Sequence, residues 1–363
     1  LNRYFYYSIL MCMLVNTIIY VPNILFAHRH NSALTGMLLS VVIGSCLAVI
    51  FSKAMMNKQG QGLPELLTQH LPLWIKGVVL IYLGFMWFAA GSIVLIVYSI
   101  ILKRFIIEDI NLEVLIILLM SVVVWSASKP TKTILYLLEI VMVINVPLVS
   151  IILFKALSSK YMNWYGIWNI ASDNVMKLPN LDVVAAATYL FTGYINQAIF
   201  NREFDGRFCP KHLWAIPFLG LTILSTTFFI PIGFHGTEGV GHFVYPWVST
   251  ADSLRMEFGF VERVVYLFLL LYLSLTLIFV TVTWHVGYRL IESISQKQFP
   301  IRSWSLKPIV VFGSFMLITI FLAYFLNEKQ HLILGTYWLR LRFWSELGLV
   351  LYVYYLSRKG KTT

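Results

Sequence analysis

Runs of apolar residues bounded by charge, proline and glycine divide the chain into ten candidate membrane spans. They are Tyr4–Ala27, Leu34–Met56, Leu73–Leu102, Leu112–Ser126, Ile134–Leu157, Val183–Phe200, Leu213–Gly233, Phe260–Ile291, Pro308–Leu326 and Leu341–Leu356. The connections are too short for a soluble domain, so residues 1–363 are expected to form one integral membrane domain, all-α and polytopic. The first run carries no charged side chain. At 1.5 Å per residue it is long enough to cross a hydrocarbon core of about 30 Å as a helix. Asn16 and Thr17 interrupt it near the middle and Pro22 follows, a pattern that predicts a break in the helical ladder. In lipid such a break is tolerated only where it is buried in protein or lines a cavity.

Ten spans with both ends on one side divide into five plus five, residues 1–157 and 183–356. An odd number per half turns the second half upside down, which is the arithmetic of an inverted repeat. In such folds, interrupted spans at corresponding positions mark the binding site. Here these are the first and the sixth, both expected to be broken helices. The sixth reads AAATYLFTGYINQAIF and is crowded with small and polar residues. The residues expected around a ligand are Val15, Asn16 and Thr17 in the first span and Phe191, Thr192, Gly193 and Tyr194 in the sixth.

Composition agrees with the pattern. The chain is 59% hydrophobic and 12% charged, with a mean hydropathy of +0.79, whereas soluble domains carry about 25% charged residues. No small-residue cleavage site follows the first run, which is therefore expected to remain in the mature protein. Cys12 and Cys46 lie in apolar runs and Cys209 in a polar loop, so no pair suggests a disulfide or a metal framework. The net charge of +11 is read as cytoplasmic loops rich in Lys and Arg, not as a nucleic-acid surface. With both termini cytoplasmic, more than half of the 27 basic residues fall on the inside.

Three stretches resemble the endospore germination permease family, the B subunits of spore germinant receptors, within the amino acid/polyamine/organocation transporter superfamily. They are Tyr245-Pro246 with Ser249, followed by Gly259-Phe260-Val261-Glu262-Arg263 and FLLLYLSLTLIF; Glu65-Leu66-Leu67 with Leu71 and Trp74-Ile75; and Leu138-Glu139-Ile140. The stretch from Glu65 to Ile75 is similar to the family's short connecting helix between spans two and three. Near the first break the family usually has Gly-x-Gly, where this chain has Val15, Asn16 and Thr17. In span six an acidic residue often follows the glycine, where this chain has Tyr194 and Ile195. The third span of family members often carries an Arg, and this one has no charge. The resemblance implies a small nutrient, such as an amino acid, bound between spans one and six with help from three and eight. It also implies a location in the spore inner membrane and partner A and C subunits that receive a conformational signal. The alternative is a proton- or sodium-coupled amino-acid or cation symporter.

A zwitterionic ligand at the bilayer midplane needs donors for its carboxylate and acceptors for its ammonium, which half-helix ends supply without charged side chains. Asn16, Thr17, Thr192 and Tyr194 would add side-chain hydrogen bonds. Glu139 is a candidate proton carrier, although Lys132 two turns earlier on a similar face offers it a plain ion pair. Glu346 stands one turn after Arg342 and is expected to pair with it locally. His285, Arg289 and Glu292, with Trp284 and Tyr288, read as an interfacial belt. His235, Glu238 and His242 form a Gly-rich solvated loop without a recognised zinc spacing. Glu262 and Arg263 read as a helix start. No constellation suited to catalysis is present, and neither an enzyme nor a cofactor is expected.

Overall fold

The computed structural model describes residues 2–58, 60–173, 177–204, 212–255, 263–294 and 308–359. The described residues are almost entirely helical, with one isolated antiparallel bridge between Arg255 and Arg263. The helices are α1 (Asn2–Val15), α2 (Tyr20–Ala27), α3 (Ala33–Met56), α4 (Leu63–His70), α5 (Leu73–Phe105), α6 (Leu112–Ala127), α7 (Thr131–Leu157), α8 (Trp164–Asp173), α9 (Leu181–Thr188), α10 (Gln197–Phe200), α11 (Ala215–His235), α12 (Pro246–Ser253), α13 (Val264–Glu292), α14 (Pro308–Phe325) and α15 (Glu328–Lys359). Among the described residues seven spans are long and apolar enough to cross a membrane, α9 to α10 counting as one, and the bent pair α1–α2 makes an eighth. The shorter apolar α6 and the long, more charged α15 complete the ten.

The first break falls at residues 16–19, and α1 and α2 meet there at 53°. Pro22 does not itself break the chain. It occupies the first turn of α2, where a missing N–H removes no helical bond. In the sixth span α9 gives way to a 3₁₀ stretch, Tyr189–Asn196, before α10. A 3₁₀ segment in mid-helix is a weak point in the ladder. Gly193 lies in it, and a Cβ built there would collide with the Ser8 carbonyl and come within 2.5 Å of the Ile9 Cα. The two broken spans therefore touch backbone to backbone, a contact only a small residue permits.

Several expected boundaries and pairings are corrected. The last helix begins at Glu328, not Leu341, so Arg340 lies within it and Arg342 and Glu346 fall near its middle rather than its start. Glu139 pairs with Arg3 at 3.0 Å, while Lys132 stands 3.8 Å from Glu203. Trp284 and His285 are fully buried rather than interfacial. The cause is that α13 packs against α5, α6 and α7 and presents little of this end to lipid. His285 reaches Thr131 Oγ1 (3.0 Å) and the Ala127 carbonyl (2.8 Å). Glu292 pairs with Arg289 at 2.7 Å and accepts from the Tyr288 hydroxyl at 2.8 Å.

The two longest connections carry helices of their own, α8 and α12. Trp164, Tyr165 and Trp168 of α8 are exposed, as aromatic residues at a membrane interface are. Glu238 bonds Arg29 (3.2 Å) and His30 (3.0 Å), and His235 bonds Thr250 (3.1 Å). No group of three metal-ligating residues is found among the described residues. The family-like Tyr245 is buried and donates to Glu328 Oε1 at 2.6 Å, while Arg104 holds the other oxygen at 2.6 Å. Burial, then the Glu328 carboxylate, pushes the Tyr245 phenol well above its ordinary range. Arg263 bonds Asp252 at 2.7 Å. Gly259 to Glu262 and Cys209 lie outside the described residues. The helix α4 stands where the resemblance places a connecting helix, and its Glu65 accepts from the Gly62 N–H (2.7 Å) and pairs with Arg202 (2.8 Å).

Gly193→Val is expected to destabilise the protein by at least about 1–3 kcal/mol, the range for overpacking a filled interior. Gly313→Ala, where an added Cβ meets nothing within 4 Å, is the control. Thermal unfolding in nanodiscs should show a lower midpoint for the first and an unchanged one for the second.

Candidate ligand site at the two broken spans

Side chains at the two breaks bond carbonyls of the preceding turn, two of which also keep a backbone donor, Cys12 from the Asn16 N–H and Leu14 from the Thr17 N–H. Asn16 Nδ2 donates to the Cys12 carbonyl (2.7 Å) and Thr17 Oγ1 to that of Leu14 (2.7 Å). Thr192 Oγ1 donates to the Tyr189 carbonyl (2.8 Å), which also takes the Cys12 thiol (3.4 Å). Cys12 Sγ in turn lies 3.1 Å from Thr192 Oγ1. These contacts stitch α1 to the 3₁₀ stretch.

Beside them lies a cavity of about 70 Å³, bounded by α1, α5, the 3₁₀ stretch, α13 and α15. Its walls are mostly apolar and aromatic, with Trp87, Tyr189, Phe279 and Trp338 among them. Cys12, Thr192, Thr283 and Ser345 supply small polar groups, and Arg342 with Glu346 supplies charge. A water needs about 10–15 Å³ on this measure, so the space holds several waters or one small ligand.

Arg342 and Glu346 form a buried ion pair within α15, the side chains 6% and 2% exposed. Arg342 also donates to the Ala185 carbonyl and to Thr188 Oγ1, and its guanidinium lies over the Tyr189 ring. Tyr194 donates to Glu346 Oε1 at 2.5 Å. The pair therefore grips the sixth span before its weak point, at Ala185 and Thr188, and within it, at Tyr194. Trp87 Nε1 adds a 2.9 Å bond to Asn196 Oδ1.

Of the residues expected from sequence, Thr192 and Gly193 line this cavity. Tyr194 reaches it through Glu346, and Asn16 through Cys12, to whose Sγ it lies at 3.4 Å. Phe191 packs instead against Gly44 and Gly220. Val15 is buried in the core. Thr17 lines a separate space of about 30 Å³ with Tyr272, its hydroxyl 3.0 Å away. Glu139 lines none of these spaces. A third space, of about 220 Å³, is lined by Tyr20, Asn23, Leu332 and Thr336 among others. Tyr20 packs on Gly335, one turn of α15 before the residues that reach the inner cavity.

Sequence reasoning did not single out Cys12, Trp87, Tyr189 and Trp338, and it read Arg342 and Glu346 as an ordinary local pair. The signal for the last two was their position inside an apolar run. An ionisable residue at membrane depth is there for a function or a partner.

The family described as spore germination protein matches residues 3–332. The chain belongs to that family. Membership agrees with a multi-span helical protein of transporter type. No curated protein matches the chain. Among solved structures, Mhp1, a nucleobase-cation-symport-1 family transporter in a closed conformation with bromovinylhydantoin bound, is similar over 87% of this chain and 71% of its own, at 12% identity and a TM-score of 0.46.

Removing one partner of a buried pair strands the other charge and costs about 3–5 kcal/mol, whereas replacing both by apolar residues is often close to neutral. Glu346→Gln or Arg342→Met alone should lower the unfolding midpoint sharply, and the double change Arg342→Met with Glu346→Leu should recover most of the loss. The three midpoints, measured side by side, check this.

Proposed function

We propose that this protein is the permease-like B subunit of a spore germinant receptor in the spore inner membrane. It binds a small nutrient in the cavity between its broken spans and passes the change to partner A and C subunits. The observation that carries this reading is the buried Arg342–Glu346 pair, which joins the wall of the cavity to the sixth span before its break and within it. A ligand in the cavity meets the same groups that hold α15 to the sixth span. Its affinity then depends on how those elements are arranged, which is the condition for a ligand to shift a conformational equilibrium. The resemblance supports the receptor role, and the charge bias of the loops supports cytoplasmic termini. The breaks in spans one and six support two five-helix halves, residues 1–157 and 183–356. An amino acid is the nutrient the resemblance implies. Phe191, Val15 and Thr17 act in this reading by holding the two breaks in register.

The test is ligand-dependent thermal stabilisation of the protein in nanodiscs across amino acids, sugars and nucleosides. A ligand at a hundred times its Kd stabilises by about 2.7 kcal/mol. Thr192→Val should weaken the response about tenfold or less, one hydrogen bond being worth about 0.5–1.5 kcal/mol. Proteoliposomes holding this subunit alone should bind the ligand without accumulating it. Accumulation driven by a proton or sodium gradient would replace the receptor with a coupled symporter, and Glu139→Gln would then show whether that residue carries the proton.

A further inference from the structure

The space of about 30 Å³ that Thr17 lines with Tyr272 is separate from the inner cavity and is walled by parts of five helices, α1, α7, α11, α12 and α13. No charged side chain lines it. Three of its polar residues have hydrogen-bonding capacity left over. Trp247 of α12 is 5% exposed, and its indole N–H is a buried donor without a hydrogen-bond partner. Thr227 of α11 is buried, and its carbonyl stands four residues before Pro231, which has no N–H to complete the helical bond. At the first break Thr17 gives its hydroxyl proton to the Leu14 carbonyl (2.7 Å). In the 3.0 Å contact between the two hydroxyls Tyr272 is therefore the donor, and its own oxygen keeps its lone pairs. A buried donor with no acceptor carries a desolvation cost that a bound acceptor removes.

We propose that this space is a buried hydration site, in which about two waters join Trp247 of α12 to Thr227 of α11 and to the Tyr272–Thr17 pair at the break in span one. Size and chemistry both select water. A buried water needs about 10–15 Å³ and two to four polar partners, which these walls supply. A cation would meet the Trp247 N–H and no carboxylate, and the rest of the wall, with Leu14, Ile152 and Phe268, is apolar. Water accepts from Trp247 Nε1 and donates to the Thr227 carbonyl and the Tyr272 oxygen, a pair of roles that none of the lining side chains fills at all three points. The Trp247 ring is held for this by Phe268, stacked at 6.2 Å and 11°, and Phe268 lies 4.6 Å from the Tyr272 ring. The site carries the polar closure of the first break outward to α12, the helix that opens on the family-like Tyr245-Pro246. Trp247 is thereby a positioning residue for the break, independently of which nutrient the inner cavity takes.

The experiment is radiolytic hydroxyl-radical labelling of the nanodisc-held protein, read by mass spectrometry. An ionising pulse makes radicals from water where it sits, so a bound internal water labels the side chains around it. Tyr98 is the control, a buried tyrosine whose hydroxyl goes to the Leu269 carbonyl and which lines none of the three spaces. Tyr272, just as buried in the fold, is expected to be labelled at least about ten times faster than Tyr98. Thr227→Val, which keeps the branched shape and deletes one hydroxyl, is measured beside the wild type. With water bound, this variant loses a hydrogen bond, so its unfolding midpoint falls and labelling of Tyr272 slows. In a dry space, deleting the hydroxyl holds or raises the midpoint. Labelling of Tyr272 no faster than that of Tyr98 overturns the hydration site, whether or not the variant folds. Fast labelling of Tyr272 with a held or raised midpoint in Thr227→Val overturns Thr227 as a partner of the waters.

Discussion

A backbone group released from its ladder in the middle of a membrane has no water to turn to, and the rest of this structure follows from how two such breaks are closed. Each unsatisfied group would cost several kcal/mol in hydrocarbon. At the edges of the breaks short side chains add a second donor to carbonyls three or four residues back, Asn16 on Cys12 and Thr17 on Leu14, and Thr192 bonds the Tyr189 carbonyl in the same way. Cys12 then links one break to the other. Irregular backbone thereby becomes part of a packed interior, and the cavity sits where that interior is incomplete.

The last helix solves the complementary problem. Its Arg342 and Glu346 would each be prohibitive alone in a low-dielectric interior, and together they are neutral. Their remaining hydrogen-bonding capacity goes to the sixth span, which needs anchoring because its 3₁₀ stretch is a weak point. The charge that makes α15 the least apolar of the long helices is thus matched by a partner in the fold.

Much of this was legible in the residues. The ten apolar runs gave the architecture, because hydrocarbon thickness imposes a length that sequence displays openly. The position of the two breaks followed from Asn16, Thr17 and the Gly193 neighbourhood, since polar and small residues inside an apolar run mark where the helix is interrupted or closely packed. What escaped is what depends on rotation about a helix axis. Whether Trp284 and His285 meet lipid or protein is decided by the neighbours of α13, which the run itself does not reveal. The same holds for Glu139, whose partner proved to be Arg3 near the chain start and not Lys132 on its own helix. Tyr189 and Trp338 resemble any other aromatic residues of a bundle until the space between them is seen.

The contact at Gly193 restricts how the molecule can work. With the Ser8 carbonyl and Ile9 Cα pressed against that glycine, the first half-helix and the 3₁₀ stretch cannot slide past one another without a collision of main chains. A displacement at either break is thus felt at the other through main chain alone, with no side chain needed to carry it.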